Sequence, residues 1–323
     1  MAEKWNLFTR IAKSLDFQQT DQTIERGQKL PDGTFHHVVH AWIRFGDEYL
    51  ISQRCAEKSD PLCWEPTGGS VLAGETARQA AVREVKEELG IDLDPDSGTF
   101  VCRGVRFFPG CNDFVDVYVW LFEKDYKSIE KSLTLQKEEV NAAVTVSAPV
   151  IHFLREKGYW IPWQQFDYLD EIIGKKKTLA EATEEEWRET IRDLLSGAIS
   201  FGAKKLFDLE LQLTQEAYGM EMDALKQWPP TDENDRDIRL GEAESELAWS
   251  LMSVQQYEES EERINKAIMY FEAAHLRGEK TTIWRLQHAH FCKRRIMNRT
   301  GRKNEALAER AILRRIKDGT FTV

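Results

Sequence analysis

A change of hydrophobic period near the middle of the chain constrains its fold most. In the segments 35–52 and 114–122 the apolar residues form short blocks rich in β-branched and aromatic side chains, whereas from Trp187 onward they recur at intervals of three and four. The first pattern buries faces of strands and the second buries one stripe of a helix, so the two halves require different architectures. At 323 residues the chain also exceeds what a single core comfortably holds. The polar stretch Gly174-Lys175-Lys176-Lys177-Thr178 reads as the linker. The expected division is therefore an α/β domain over residues 1–174 and an all-helical domain over residues 175–323.

Within the first half, FHHVVHAWIRFGDEYLIS from Phe35 to Ser52 predicts a hairpin turning at Gly46-Asp47, and FVDVYVWLF from Phe114 to Phe122 predicts another strand. Thr76 to Leu89 has helical spacing and stops at Gly90, a favourable residue past a helix end. In the second half Pro229-Pro230 marks a break between helices. No apolar run approaches membrane-spanning length, and the N-terminus lacks a basic segment followed by an apolar one, so a cytosolic protein is expected. Five scattered cysteines (Cys55, Cys63, Cys102, Cys111 and Cys292) without a C-x-x-C pair predict neither disulfides nor structural zinc. A net charge of −11 argues against general nucleic-acid binding, although an acidic protein can still reach phosphates through metals.

The chemistry concentrates between Gly69 and Ile91, GSVLAGETARQAAVREVKEELGI. On a helix Glu84, Glu87 and Glu88 stand at i, i+3 and i+4, which puts three carboxylates on one face. Their repulsion costs a few tenths of a kcal/mol per pair, roughly, in a bare helix, and a cation is the natural compensation. All-oxygen ligands select magnesium, with manganese as the alternative. Arg83, four residues before Glu87, can hold that carboxylate, while Ala77, Ala81, Val85 and Leu89 offer an apolar stripe to the sheet. The preceding Glu65-Pro66-Thr67-Gly68-Gly69 would bring backbone close to the ion, making a carbonyl of Gly68 or Gly69 an additional ligand. Taken alone a run of this kind is more often a solvated helix face. Gly69, Glu75 and Arg83 in register with the acids favour the metal site.

This 23-residue segment resembles the signature of the Nudix hydrolase family. The resemblance implies an α/β/α sandwich around a mixed sheet and magnesium-dependent cleavage of a diphosphate bond, with Gly69, Glu84, Glu87 and Glu88 as metal ligands. The ion would bridge the two phosphates, neutralise the leaving group and lower the pKa of the attacking water. Glu87 and Arg83 join the catalytic set. Farther on, Gln136-Lys137-Glu138-Glu139-Val140 resembles the distal acidic position that in many such enzymes supplies another ligand or the general base, with Glu139 favoured over Glu138. Trp64, Glu65, Arg54 and His36 are the substrate-side candidates, although Trp64 could equally fill the core. His36 and His40 share a strand face but lack a third nitrogen or sulfur ligand, which favours packed or substrate-facing histidines over a metal pair.

The flanks, LPDGTFHHVVHAWI, WEPTGGSVLAGE and FVDVYVW, look most like the Nudix branch related to isopentenyl-diphosphate isomerase, over residues 25–172. That isomerase needs a cysteine and a histidine where this chain reads Thr67-Gly68-Gly69, and an acid where it has Phe114, with Asp116 matching the other acidic position. Hydrolysis is therefore expected rather than isomerisation. Phe107-Phe108-Pro109-Gly110 loosely resembles the proline segment of enzymes that cleave ADP-ribose. Nucleotide sugars and small or allylic diphosphates are the two substrate classes. A ligand sensor built on the same fold is the competing function, but none of the motif acids is lost.

In the second half Glu246 to Glu272 resembles one tetratricopeptide repeat, with small residues at Ala248, Ser260 and Ala267 and with Leu247 and Ile264 between them. A weaker unit runs from Trp284 to Ile316, with Gly301 in its turn and Ala306 in the matching place. A generic helical bundle is the alternative. The last stretch, including Lys293, Arg294, Arg295, Arg310, Arg314 and Arg315, is strongly basic. A phosphorylated ligand, RNA, an acidic peptide or an acidic face of the same protein would each suit it, and a protein partner or a homodimer contact is favoured, since helical repeats present concave surfaces. Every candidate catalytic group, from Glu65 to Glu139, falls within residues 1–174.

Overall fold

The computed structural model describes residues 3–123, 126–162 and 166–323. The chain divides into two compact units, Met1–Lys176 and Lys177–Val323.

The first unit contains strands β1 (Lys4–Arg10), β2 (Phe17–Glu25), β3 (Thr34–Phe45), β4 (Glu48–Arg54), β5 (Trp64–Glu65), β6 (Thr67–Ser70), β7 (Thr99–Arg106), β8 (Asp113–Phe122) and β9 (Val140–Ser147). Its helices are α1 (Ala77–Leu89), α2 (Tyr126–Glu130), α3 (Ala148–Glu156) and α4 (Leu169–Ile173). Strand β3 organises the sheet: it runs parallel to β8 from His36↔Asp113 to Phe45↔Phe122, and antiparallel to β6 from Val38↔Ser70 to Ala41↔Thr67. The hairpin to β4 closes at Phe45↔Glu48 around Gly46, whose φ of 60° suits glycine. Alternation along β3 then serves both faces. Val39, Ala41, Ile43 and Phe45 meet Ala77, Ala80, Ala81, Val85 and Leu89 of α1 in one core. On the opposite face Trp42 packs with Tyr49, Trp160 and Tyr168, and α3 buries Val150, Ile151, Phe153 and Leu154. The result is an α/β/α sandwich with a mixed sheet.

Helix α1 begins at a capping box, in which the Thr76 side chain accepts from the Gln79 backbone and the Gln79 side chain accepts from the Thr76 N–H. It ends at Gly90, in the left-handed region at φ 75°. Leu89 has no exposed surface, and shortening it to alanine would cost about 2–5 kcal/mol. The sequence left β1 and β2 unread because β2, FQQTDQTIE, carries polar residues on both faces and is largely exposed. A register shift between Asn6 and Phe8 further breaks the alternation that would reveal the pair.

The second unit consists of α5 (Glu184–Ala203), α6 (Phe207–Gln227), α7 (Glu233–Ser253), α8 (Tyr257–Leu276), α9 (Thr282–Arg299) and α10 (Lys303–Lys317). They pair as three successive helical hairpins, with Pro229-Pro230 between the first two. All three hairpins use the same turn. Lys205, Gln255 and Gly301 occupy the left-handed region, and the amides of the next residues, Leu206, Gln256 and Arg302, donate to the carbonyls of Phe201, Leu251 and Met297. Five residues past each left-handed residue come Glu210, Ser260 and Ala306, all buried. Ser260 lies where α7 and α8 approach closely, and its hydroxyl donates to the Ala248 carbonyl at 2.6 Å.

Candidate active site

One face of α1 packs on the sheet and the other carries the acids, but their surroundings differ. The Glu87 side chain is half exposed, Glu84 is mostly covered and Glu88 is buried. Arg83 organises this face through five hydrogen bonds. It donates to Glu75 at 2.8 and 3.1 Å, to Glu84 at 2.9 Å, to Glu87 at 3.1 Å and to the Ser70 carbonyl at 3.0 Å. A planar guanidinium fork can fix several carboxylates at once, so Arg83 ties the end of β6 and the following loop to the helix. A side chain at Gly69 would collide with the Glu84 carboxylate, so glycine is what allows β6 to approach the helix acids.

Deeper in, the Gln136 amide donates to the Glu88 carbonyl at 3.0 Å, which fastens the loop bearing Glu139 to the last turn of α1. Lys58 reaches both acids: its ammonium pairs with Glu139 and lies 3.8 Å from Glu88. Glu65 pairs with Arg54 at 2.6 Å. Burial pushes the Glu88 carboxyl up to about 8; Lys58 opposes this, while Glu65, Glu84 and Glu139 reinforce it. Burial also raises Glu65 and Glu84. These four acids therefore feel one another across a common space. Among the described residues no three ligating side chains stand close enough to form a finished metal cage, because Arg83 and Lys58 draw the carboxylates to themselves. The donor chemistry nonetheless fits a hard divalent cation, since every candidate ligand is an oxygen.

Gly69, Glu84, Glu88, Glu65, Glu139, Arg83 and Arg54 thus come together, with Glu87 at the exposed edge. Two substrate-side candidates do not join them. Trp64 is fully buried and offers no face to a ligand. His36 is buried against Trp5, stacked at 4.3 Å, with its Nδ1 3.2 Å from the Asn112 carbonyl. His40 lies on the same face of β3 as His36, but its ring meets the Tyr168 hydroxyl at 2.6 Å, so each histidine is engaged by its own partner. Asp116 is held by Arg103 at 2.5 and 2.8 Å and by His37 at 3.0 Å; burial opposes its ionisation, but these partners keep its pKa below the usual carboxylate value. Sequence reasoning missed Lys58, a lone cation in a polar loop with no motif to mark it.

Residues 34–175 match the family model of the NUDIX domain. An uncharacterized Nudix hydrolase of Listeria monocytogenes is 38% identical over 178 residues, which cover 54% of this chain and 95% of that protein. The chain belongs to the Nudix hydrolase family. A shorter stretch of 52 residues is 50% identical to the dihydroneopterin triphosphate diphosphatase of Escherichia coli, covering 16% of this chain and 33% of that enzyme. Among solved structures, a MutT Nudix hydrolase from Burkholderia pseudomallei aligns at 18% identity with a TM-score of 0.31, covering 49% of this chain and 96% of that one. The protein is accordingly a Nudix pyrophosphohydrolase, from a family that generally uses divalent metal ions. Among the described residues no helix is long and apolar enough to cross a membrane.

Proposed function

We propose that this Nudix hydrolase cleaves the diphosphate bond of a small nucleotide-type substrate with magnesium, replaceable by manganese, held by Glu84, Glu87, Glu88 and the Gly69 carbonyl. The observation that carries this reading is the crowding of Glu65, Glu84 and Glu139 around Glu88, which is only 6% exposed and has Lys58 no nearer than 3.8 Å. Buried negative charge of this density is costly until a cation is added. A bound divalent ion supplies charge neutralisation on the diphosphate and a more acidic attacking water. The chain's own groups supply the rest. Arg83 keeps Glu84 and Glu87 oriented, which removes their rotational freedom before the substrate arrives. Glu139, on a loop anchored to α1, is the candidate base that accepts the proton of the nucleophile. Arg54 holds Glu65 at the far side of the acid group.

The match to a pterin triphosphate diphosphatase supports nucleotide-like substrates over allylic ones. The resemblance of residues 25–172 to the isomerase branch is read as kinship without that chemistry, because Thr67 stands in the cysteine position and Asp116 is taken up by Arg103 and His37. The tetratricopeptide-like unit is read as the part that recruits a protein partner or a second copy of the chain.

The test is a magnesium-dependent hydrolysis screen of the full chain over nucleotide sugars, dinucleotides, nucleoside triphosphates and prenyl diphosphates, with products identified by mass. Turnover of at least one nucleotide class, abolished by chelation, is expected. Dimethylallyl diphosphate formed from isopentenyl diphosphate would overturn the reading.

A further inference from the structure

Two cavities in the helical unit, of about 580 and 180 Å³, share Leu195, Thr214 and Glu246 and so form one trench. Its lining along α5 runs from Arg188 to Ala203, a length of about 22 Å at the rise of a helix. That accommodates roughly six residues of extended peptide. Large apolar side chains stand exposed along it, Ile199 at 70% and Phe207 at 38%, beside the half-buried Trp249.

Two acids of this trench, Glu210 and Glu246, are treated differently from the other buried acids of the unit, including Glu221, which lines the same trench. Glu221 pairs with Arg239 at 2.5 Å, Glu244 with Arg263 at 3.3 Å, Asp237 with Arg277 at 2.5 Å, and Glu309 with His290 at 2.7 Å. Glu210 is as buried as they are, yet among the described residues it has no cation. Its Oε1 accepts only from the Ser253 hydroxyl at 3.3 Å, and its Oε2 has no hydrogen-bond partner. Glu246, at the junction of the two cavities, has neither an ion pair nor a side-chain hydrogen bond among the described residues. Burial raises both carboxyls above their ordinary value, with Glu246 adding to the effect on Glu210 and Glu242 to that on Glu246.

The placement of Glu210 is specific to this hairpin. Its turn-equivalent positions hold Ser260 and Ala306, small residues that let helices approach. Here a carboxylate replaces the small residue, and Gly202 makes the room, since a Cβ there would lie 2.6 Å from Glu210 Oε2. A packing position has been given up for an acid that pairs with no cation among the described residues, although Arg295 and Arg299 line the same cavity.

We propose that the trench between α5, α6 and α7 binds an extended peptide segment of a partner protein and receives one basic side chain of that segment against Glu246 and Glu210. The inference deepens the reading of the helical unit as a partner-binding module and is independent of hydrolysis. A lysine or arginine side chain suits the slot on two counts, because its aliphatic stem lies along apolar walls while its head meets the acids. The trench length favours a peptide over a small free amine.

Binding to the full-length protein can be followed by calorimetry. The probes are acetylated, amidated heptapeptides of alanine and leucine with lysine, arginine or norleucine at the centre, beside spermidine as a free polyamine. The lysine or arginine peptide should bind at least about tenfold more tightly than the norleucine peptide, and Glu246→Gln with Glu210→Gln should erase that preference while hydrolysis is unchanged. Thermal melting provides a second reading: the two trench variants should melt no lower than the parent, whereas Glu221→Gln, which takes from Arg239 its closer carboxylate and leaves only Glu184 at 3.3 Å, should melt lower. Peptide binding without preference for the cation overturns the slot but spares the partner-binding reading, and no binding by any peptide overturns both. Spermidine binding as tightly as the peptides, or a melting loss in Glu246→Gln equal to that of Glu221→Gln, also overturns the proposal.

Discussion

Glu88 in the first unit and Glu309 in the second are buried alike, at 6% and 5% exposure, yet their surroundings push them in opposite directions. Around Glu88 the neighbours are mostly acids and the one lysine stands 3.8 Å away, so its carboxyl rises to about 8. Glu309 accepts from His290 at 2.7 Å with Lys293 at 3.4 Å, and these partners outweigh its burial and hold it below the usual carboxylate range. The difference separates two uses of a buried charge. In the helical unit ion pairs such as those of Glu309, Glu244 and Arg239 complete the packing of one helix on the next. In the Nudix unit the compensation is left for a ligand to supply. Buried pairs rarely add net stability, but removing one partner is severe. Losing Glu88 should therefore damage chemistry, and losing Arg239 should damage folding.

The largest effect that sharpens this contrast is on turnover. Glu88→Gln, and likewise Glu84→Gln, should lower kcat by at least roughly a hundredfold with an unchanged circular dichroism spectrum, because an amide ligates magnesium poorly. Near-normal turnover in both folded variants would break the assignment. Next in size, Arg239→Met removes the partner of Glu221 from a site only 4% exposed. Urea denaturation should show a loss of about 3 kcal/mol, with hydrolysis per folded molecule retained.

The legibility of the two halves differs for a related reason. The Nudix site could be read because its glycine, arginine and glutamates lie within one continuous stretch, and helical geometry converts their spacing into a shared face. Glu139 needed the resemblance, and Lys58 could not be found, since its approach to Glu88 is set by the fold of a loop. Trp64 and His36 stayed open between a packed and a substrate-facing place, because a strand sequence does not say which aromatic residues the next layer will cover. In the helical half the three hairpins use one turn, but only Gly301 advertises it. Lys205 and Gln255 take up the same left-handed conformation without the residue type that signals it. The first hairpin, which carries Glu210 where a small residue would be looked for, was for that reason not seen as a repeat.

Smaller effects refine the contrast. Glu309 is held below its ordinary value of 4.5 in the folded chain, so its contribution is present above about pH 4.5 and is lost as the pH falls through the lower folded value. The stability gap between the parent and Glu309→Gln, measured in urea, should be present near neutrality and close as the pH falls below 4.5. A gap constant from pH 6 to pH 3 would show that pairing is not its source. The smallest expected effect is that of Lys58→Met, which takes a positive charge away from Glu88 and Glu139 and should tighten magnesium binding by about threefold to tenfold. Unchanged or weaker binding would mean that Lys58 does not compete with the ion.

The most direct measurement is the melting temperature as a function of magnesium concentration for the parent, Glu88→Gln and Glu309→Gln. A ligand that binds only the folded state stabilises it in proportion to the logarithm of its concentration above Kd. The parent and Glu309→Gln should both gain stability as magnesium rises, and Glu88→Gln should gain little or none. Equal magnesium stabilisation of all three proteins would contradict the claim that the uncompensated acid of the Nudix unit, and not the paired acid of the helical unit, is the metal site.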